Sequence, residues 1–145
     1  MRNYFITGLS GYLGHALLSL IQKEKDYRVF ALVLPHDKYR DELIKEGVHI
    51  IEGDLLNKDD VSYFLSQNVE GEKVVIHIAG RISTMKKGDP LTTKINVEGT
   101  KNVLDRSIEN LIDKTGHSEK YNKATNRLAD VVNLLKGVMN NIGSD

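Results

Sequence analysis

Three glycines near the amino terminus have the spacing with which a backbone turn can hold a phosphate group. Gly8, Gly11 and Gly14 follow a short apolar run at residues 4–6. In a turn between a strand and a helix, the first glycine allows the tight bend and the second lets the backbone approach a pyrophosphate. The third lets the helix pack closely on the strand. The spacing therefore predicts a nucleotide-binding turn, although a turn that needs glycine only for packing remains an alternative.

The elements that must position this turn follow from hydrophobic periodicity. Strands are predicted at residues 4–6, 28–34, 48–52 and 74–78, and the segments between them have helical patterns. The first helix is predicted to bury one apolar stripe, formed by Leu13, Ala16, Leu17, Leu20 and Ile21. The second helix is predicted to place Leu43 and Ile44 inward. Alternating strands and helices predict an α/β fold with a parallel sheet and right-handed crossovers.

The later helices are predicted from caps and spacing. Asn57 is expected to cap a helix that extends to about residue 67, with Asp60 as a capping-box partner. A polar loop at residues 81–90 precedes a helix that ends near residue 111. A long amphipathic helix is predicted at residues 119–140, and its simplest role is to cover the sheet.

Composition excludes several classes of protein. The chain has 145 residues, of which 40% are hydrophobic and 28% are charged, as expected for one globular domain. Twenty basic residues balance 20 acidic ones, which argues against a nucleic-acid or membrane-surface footprint. The absence of cysteine excludes thiol catalysis and disulfides. No signal peptide or apolar run of membrane-spanning length is evident, so a cytoplasmic protein is expected.

Four motifs occur in an order that resembles one known family. They are the glycine turn at residues 7–14, the triplet 53–55, the segment 77–80 and the helical segment 96–104. Together they are similar to the extended short-chain dehydrogenase/reductases of the NAD-dependent epimerase/dehydratase type, over about residues 3–110. The resemblance implies an NAD(P)-binding Rossmann domain of about four strands in the order 3-2-1-4, flanked by helices. Residues 1–112 would form this domain, and residues 113–145 a helical extension packed on it.

The resemblance also implies a set of cofactor-binding residues. The glycine turn would hold the pyrophosphate, the segment after the third strand would border the adenine, and the end of the fourth strand would line the cofactor wall. A residue of the fourth helix would lie near the active site. The candidates are Gly8, Ser10, Gly11, Tyr12, Leu13, Gly14, Asp54, Leu55, Ile78, Ala79, Gly80 and Asn96. No metal site is expected.

Simpler interpretations remain open for three of the polar residues. Asp54 could serve only as a turn former after Gly53. His77 is more often a satisfied strand histidine than a catalytic one, and the sequence places no carboxylate or hydroxyl beside it. His15 fits a helix-start residue near phosphate better than a general base.

The sequence does not decide between NAD and NADP. An acid about 20 residues beyond the glycines would bind the ribose 2′-OH, whereas an arginine would accept a 2′-phosphate. Val33 and Leu34 occupy these positions. Asp37 could bend back toward a ribose, while His36, Lys38 and Arg40 could meet a phosphate. The excess of cationic groups slightly favours NADP.

The catalytic pair of the resembled family is incomplete. The family requires Tyr-x-x-x-Lys after a fifth strand, and the lysine lowers the tyrosine pKa. Here Tyr121 is followed four residues later by Thr125, and Lys123 would lie on another helical face. No strand-length apolar run precedes Tyr121, and a substrate lobe is not found. We therefore expect this chain to be the NAD(P)-binding part of a nucleotide-sugar epimerase/dehydratase or a reductase, without turnover as it stands. A non-catalytic regulatory or interaction module is the alternative, and a flavodoxin-like or receiver-type domain is disfavoured.

The predicted strand order leaves the fourth strand at an edge of the sheet. Such an edge has unpaired N–H and C=O groups and tends to pair with another chain. Either the helix at residues 119–140 covers it or two chains join there. The family resemblance favours a homodimer through the helices at residues 91–111 and 119–140, with Leu128, Val132 and Leu135 as buried anchors.

Overall fold

A computed structural model of the chain describes residues 1–85 and 87–115, with side chains through residue 110. Strands and helices alternate from the amino terminus: β1 (Arg2–Thr7), α1 (Tyr12–Ile21), β2 (Tyr27–Val33), α2 (Arg40–Lys45), β3 (His49–Glu52), α3 (Lys58–Leu65) and β4 (Glu72–His77). A helix then starts as α4 (Pro90–Thr93), widens into a π-helical segment (Lys94–Gly99) and continues as α5 (Thr100–Thr115). The predicted helix at residues 119–140 lies outside the described residues.

The four strands form one parallel sheet in the order β3-β2-β1-β4, which confirms the predicted topology. At the carboxyl end of β1, Thr7 lies opposite Leu32 of β2 on one side and His77 of β4 on the other. All strands point the same way, so the loops that leave them meet at one edge of the sheet. This edge is where ligands bind in open α/β sheets.

The sheet separates two cores because successive side chains of a strand point to opposite faces. On one face, Ile6 packs in a cluster with Leu18, Ile21 and Leu43, which come from α1 and α2. On the other, the neighbouring Phe5 packs in a cluster that includes residues of α3 and α5. The Phe5 ring is fully buried and stacks on Phe30 with centroids 4.6 Å apart. Both faces of the central strand are therefore covered.

The buried face of α1 matches the predicted stripe only in part. Ile21 is buried as predicted, but Leu13 and Leu20 are 63% and 61% exposed and Ala16 is also exposed. The other buried residues of α1 are Gly14 and Leu18. A Cβ added at Gly14 would lie only 2.2 Å from the Leu9 carbonyl oxygen. Because the helix approaches the preceding turn so closely at Gly14, the face that carries this glycine and residues four and seven positions later turns toward the sheet.

Two further predictions about helices are corrected in part. In α2, Leu43 is fully buried, but Ile44 is 45% exposed, since a helix of this length turns only a narrow face to the sheet. Asn57 caps α3 as predicted, and its Oδ1 accepts hydrogen bonds from the N–H groups of Asp59 and Asp60. The Asp60 carboxylate does not complete a capping box. It accepts instead from the N–H of Asp54, at 2.8 Å.

Candidate functional site

A cleft of about 530 Å³ opens at the carboxyl ends of the strands. Its walls come from the glycine turn, the ends of β2 and β3, and the segment that follows β4. Of the residues proposed from sequence, those that line the cleft are Gly8, Ser10, Gly11, Tyr12, Leu13, Asp54, Leu55, Ile78, Ala79 and Gly80. Gly14 is buried beneath the turn, and Asn96 lies next to Ile95, which also lines the cleft. The topology thus gathers segments that are distant in sequence into one cavity.

The three glycines of the turn meet different constraints. Gly8 has a φ of +82°, and a Cβ added there would lie 2.5 Å from the backbone nitrogen of Ala79. Gly14 is equally tight against Leu9. Gly11 is exposed, and a Cβ added there would meet only the Gly8 carbonyl oxygen, at 3.3 Å. Gly8 and Gly14 are therefore required by the fold itself, whereas Gly11 leaves open space in the cleft.

The start of α1 lies at the cleft and is not capped by a side chain. Gly11 is its N-cap residue, and the first turn contains no acidic side chain. The first N–H groups of a helix lack intrahelical partners and carry a partial positive charge. The imidazole of His15 also lies at this helix start, with its Nδ1 2.8 Å from the Gly11 carbonyl oxygen. The helix start can therefore accept an anionic group from the cleft.

Asp37 lines the cleft because a tight turn follows β2. The Asp37 N–H donates to the Leu34 carbonyl oxygen at 3.1 Å, and His36 within this turn has a φ of +65°. The Asp37 carboxylate accepts from the Ser10 hydroxyl and from the Tyr39 N–H, both at 2.8 Å. This turn therefore ties the segment after β2 to the glycine turn and fixes a carboxylate at the cleft.

Arg40 and Lys38, two of the cationic residues considered above for a 2′-phosphate, make contacts with other side chains. Arg40 pairs with Glu52 at 2.6 Å and with Asp41 at 2.9 Å. Lys38 lies over the ring of Tyr39, with Nζ 4.8 Å from its centroid. Of residues 36–40, Asp37 is the one that lines the cleft.

Asp54 both forms a turn and borders the cleft. Its Oδ1 accepts from the Leu56 N–H at 2.9 Å, as in an Asx turn. Its own N–H donates to Asp60, which can approach because Gly53 has no side chain: a Cβ there would lie 2.8 Å from the Asp60 Cβ. The two interpretations left open by the sequence are therefore compatible in the structure.

Asn96 binds the backbone of the loop that follows the β4 wall. Its Oδ1 accepts from the Arg81 N–H and its Nδ2 donates to the Arg81 carbonyl oxygen, both at 2.8 Å. The Arg81 guanidinium pairs with Asp89, 3.0 Å away, which also caps α4. Both ends of this loop are therefore anchored. The π-helical segment that carries Asn96 is of a kind often found at functional sites.

His77 has two hydroxyl partners that the sequence did not reveal. Thr7 Oγ1 lies 2.5 Å from His77 Nδ1, and Thr100 Oγ1 lies 2.8 Å from Nε2. Burial lowers the pKa of His77 below its ordinary value of 6.5. The partners are 70 and 23 residues away in sequence, so local pattern could not identify them. The available signal was the register of two parallel strands, which sets Thr7 opposite His77.

Tyr121, Lys123 and Thr125, on which the catalytic expectation depends, lie outside the described residues.

The helices at residues 1–85 and 87–115 were also compared with the length and hydrophobicity that a membrane span requires. None of these helices meets both requirements.

Comparison with known proteins relates this site to one family. The model of the 3-beta hydroxysteroid dehydrogenase/isomerase family matches residues 5–126. A mouse protein, 3 beta-hydroxysteroid dehydrogenase type 7, is 35% identical in an alignment 113 residues long that covers 73% of this chain. The alignment covers only 29% of the mouse protein, so the chain spans less than a third of the length of this relative.

Solved structures support the fold. A short-chain dehydrogenase/reductase superfamily protein from Agrobacterium tumefaciens, solved with bound NAD, matches with a TM-score of 0.51 and 21% identity, over 76% of this chain and 30% of that one. UDP-glucuronic acid 4-epimerase from Bacillus cereus, in complex with UDP-glucuronic acid and NAD, matches with a TM-score of 0.56 and 20% identity. That match covers 74% of this chain and 36% of the epimerase.

Proposed function

Because the chain belongs to the 3-beta hydroxysteroid dehydrogenase/isomerase family, within the extended short-chain dehydrogenase/reductases, we propose that it binds a nicotinamide dinucleotide in the cleft above the sheet. The observation that carries this proposal is the open side of the glycine turn at Gly11. A side chain there would meet one protein atom at 3.3 Å and would otherwise extend into the cleft. The space left by this glycine suits the close approach of a pyrophosphate.

The residues around Gly11 fit the charge of such a ligand. The uncapped start of α1 offers N–H groups and the positive end of the helix dipole to the phosphates. The apolar residues Ile78 and Leu55 also line the cleft. When bound, a nicotinamide dinucleotide supplies hydride transfer. The part of this chain is to bind it, to orient it along the strand ends and to exclude water.

Asp37 supports NAD as the dinucleotide, in contrast to the slight preference for NADP drawn from the cationic residues that follow the second strand. Its carboxylate is held at the cleft by Ser10 and Tyr39, where it can accept from a ribose hydroxyl and would repel a 2′-phosphate. Arg40, the residue best suited to a 2′-phosphate, is paired with Glu52 and Asp41. The proposal is therefore an NAD-binding site in which Asp37 selects the ribose.

Calorimetric titration of the purified chain with NADH and with NADPH tests the site and its selectivity together. We expect saturable binding, with NADH bound about tenfold more tightly, because a charged hydrogen bond replaces a charge repulsion. Asp37→Asn should reduce this ratio. Asp59→Asn removes the same charge from an exposed side chain of α3 that does not line the cleft, and should leave the ratio unchanged. A folded wild-type protein that binds neither dinucleotide would refute the proposal.

A second part of this proposal concerns the reaction of the whole protein to which this chain would belong. The family supports an oxidoreductase or epimerase that acts on a carbon–oxygen centre, with this chain as its dinucleotide-binding part. The substitution of Thr125 for the family lysine supports absence of turnover in the chain alone. A non-catalytic binding module is the alternative, and cofactor-coupled turnover that is lost in Tyr121→Phe would exclude it.

A homodimer is the proposed assembly. Within the described residues, β4 pairs with β1 and has no strand on its other side, and its apolar residues Val74, Val75 and Ile76 are only half-buried. An edge of this kind favours pairing or coverage by another segment. We expect a dimer by light scattering at tens of micromolar, and monomer or unfolded protein when Leu128 and Leu135 are replaced by glutamate. A wild-type monomer would contradict this assembly.

A further inference from the structure

A chain of hydrogen bonds runs from the sheet through His77 into the helix beside the cleft. Thr7 Oγ1 is 2.5 Å from His77 Nδ1, and His77 Nε2 is 2.8 Å from Thr100 Oγ1. The Thr100 hydroxyl donates to the Asn96 carbonyl oxygen at 2.6 Å. The Asn96 side chain then binds the N–H and C=O of Arg81. The chain of bonds thus joins β1, β4, the π-helical segment, α5 and the loop at residues 81–89.

The direction of each hydrogen bond in this series can be assigned by starting from Thr100. Thr100 has one hydroxyl proton and gives it to the Asn96 carbonyl oxygen, so its oxygen accepts from His77 Nε2–H. A neutral imidazole protonated on Nε2 has an acceptor at Nδ1, which receives the Thr7 hydroxyl proton. The Thr7 oxygen can still accept from the Ala79 N–H, 3.4 Å away. This arrangement satisfies every donor and acceptor named.

Both ends of the chain of bonds are attached to the cleft. Thr7 directly precedes Gly8, the first residue of the glycine turn, and its carbonyl oxygen accepts from the Ile78 N–H at 3.1 Å. At the other end, Asn96 holds Arg81, which lines the cleft. A shift at His77 would therefore change the position of Arg81 relative to the glycine turn.

We propose that His77, neutral and protonated on Nε2, is a positioning residue that holds Arg81 and the glycine turn in fixed relative positions at the cleft. This inference rests on the proposed dinucleotide site. His77 acts through Thr7 and Thr100 and needs no contact with the ligand. Its role is to keep these cleft-lining residues in the relative positions that the ligand requires.

Acid should weaken this arrangement. A second proton on Nδ1 would face the Thr7 hydroxyl, which would then have to accept instead of donate. The groups that face His77 are uncharged, Thr7 from β1 and Thr100 from α5, and among the described residues no charged group contributes to its pKa shift. Because the pKa of His77 is lowered in the folded protein, the stabilisation is complete above about pH 6.5 and is lost as pH falls toward the folded pKa.

Nuclear magnetic resonance tests the tautomer without any cofactor. Long-range ¹H–¹⁵N spectra of the full chain distinguish an imidazole protonated on Nε2 from one protonated on Nδ1. The chain has five histidines, and the signal lost in His77→Gln identifies His77. We expect the Nε2–H form at neutral pH. A proton on Nδ1, or a charged imidazole at pH 7, would overturn the proposal.

Matched variants test the positioning role. Thr100→Val removes the hydroxyl at similar volume and should weaken NADH binding about tenfold, the effect of losing one buried hydrogen bond. Thr100→Ser should restore binding. Wild-type affinity should also fall when the pH drops as far as the pKa of folded His77, which burial holds below 6.5, and this dependence should disappear in His77→Gln, which has no titrating ring.

The outcomes separate this inference from the proposed function. Thr100→Val that lowers the melting temperature but binds NADH as tightly as the wild type would show a merely structural role and reject the inference. A folded wild type that binds neither NADH nor NADPH would instead reject the proposed function and, with it, the positioning role. The nuclear magnetic resonance spectrum reports the tautomer of His77 in both cases, because it requires no cofactor.

Discussion

Replacement of Gly11 with valine is expected to abolish dinucleotide binding while the fold is retained. The backbone of Gly11 has φ −79° and ψ 175°, which valine adopts without strain. An added Cβ would contact only the Gly8 carbonyl oxygen, so the side chain would extend into the space proposed for the pyrophosphate. We expect the Kd for NADH, measured by calorimetry, to rise about 100-fold or more, equivalent to about 2.7 kcal/mol.

A valine elsewhere on the same helix provides the control. Ser19 of α1 is exposed and does not line the cleft, so Ser19→Val adds a comparable side chain outside the site. Both variants should keep the circular dichroism spectrum of the wild type, and only Gly11→Val should lose binding. Wild-type affinity in a folded Gly11→Val protein would show that the pyrophosphate does not lie at this turn.

Gly8→Ala should destabilise the whole domain, because this glycine is where β1 and the segment after β4 come closest. An added Cβ would lie 2.5, 2.7 and 2.8 Å from backbone atoms of Ala79 and Ile78, which cannot rotate away. The φ of +82° adds a conformational penalty for any other residue. The two costs together come to about 2–5 kcal/mol, a large part of the stability of a small domain. Urea denaturation followed by circular dichroism measures the loss.

Gly47→Ala isolates the conformational part of this cost. Gly47 has almost the same φ, +84°, but nothing lies within 4 Å of an added Cβ. Its substitution should therefore cost only about 1–2 kcal/mol. The difference in the free energy of unfolding between the two variants measures the steric cost of a side chain where Gly8 meets Ala79 and Ile78. Equal losses would show that Ala79 and Ile78 move aside easily, contrary to the geometry.

Local sequence was sufficient for the type and order of the elements. Each strand is a short apolar run between turn residues, and each is followed by a segment with helical spacing, so the βαβ rules predict a parallel sheet. The order β3-β2-β1-β4 was implied by the family resemblance and is confirmed by the structure. The cap at Asn57 was also readable, because the hydrogen bonds involve residues two and three positions away. The assignment of the proposed binding residues and of the domain bounds remains a prediction from family motifs.

Helix orientation could not be read from spacing alone. The set that includes Leu13 and Leu20 and the set that includes Leu18 both recur at helical intervals, so periodicity does not choose between them. The choice depends on Gly14, whose close approach to Leu9 is a contact of the folded chain. In the same way, the capping-box pattern suggested Asp60 for Asn57, but the absence of a side chain at Gly53 lets Asp60 bind the N–H of Asp54.

The sequence by itself determined that a glycine turn joins the first strand to a helix and that parallel strands bring the candidate residues to one edge of the sheet. These features depend on neighbours in the chain and on strict rules of connection. Only the tertiary structure decided which polar groups meet there. Ser10 binds Asp37, and His77 lies between Thr7 and Thr100, because strand register and helix packing join residues 23 to 70 positions apart. Such contacts have no local pattern, since each depends on the placement of two elements at once.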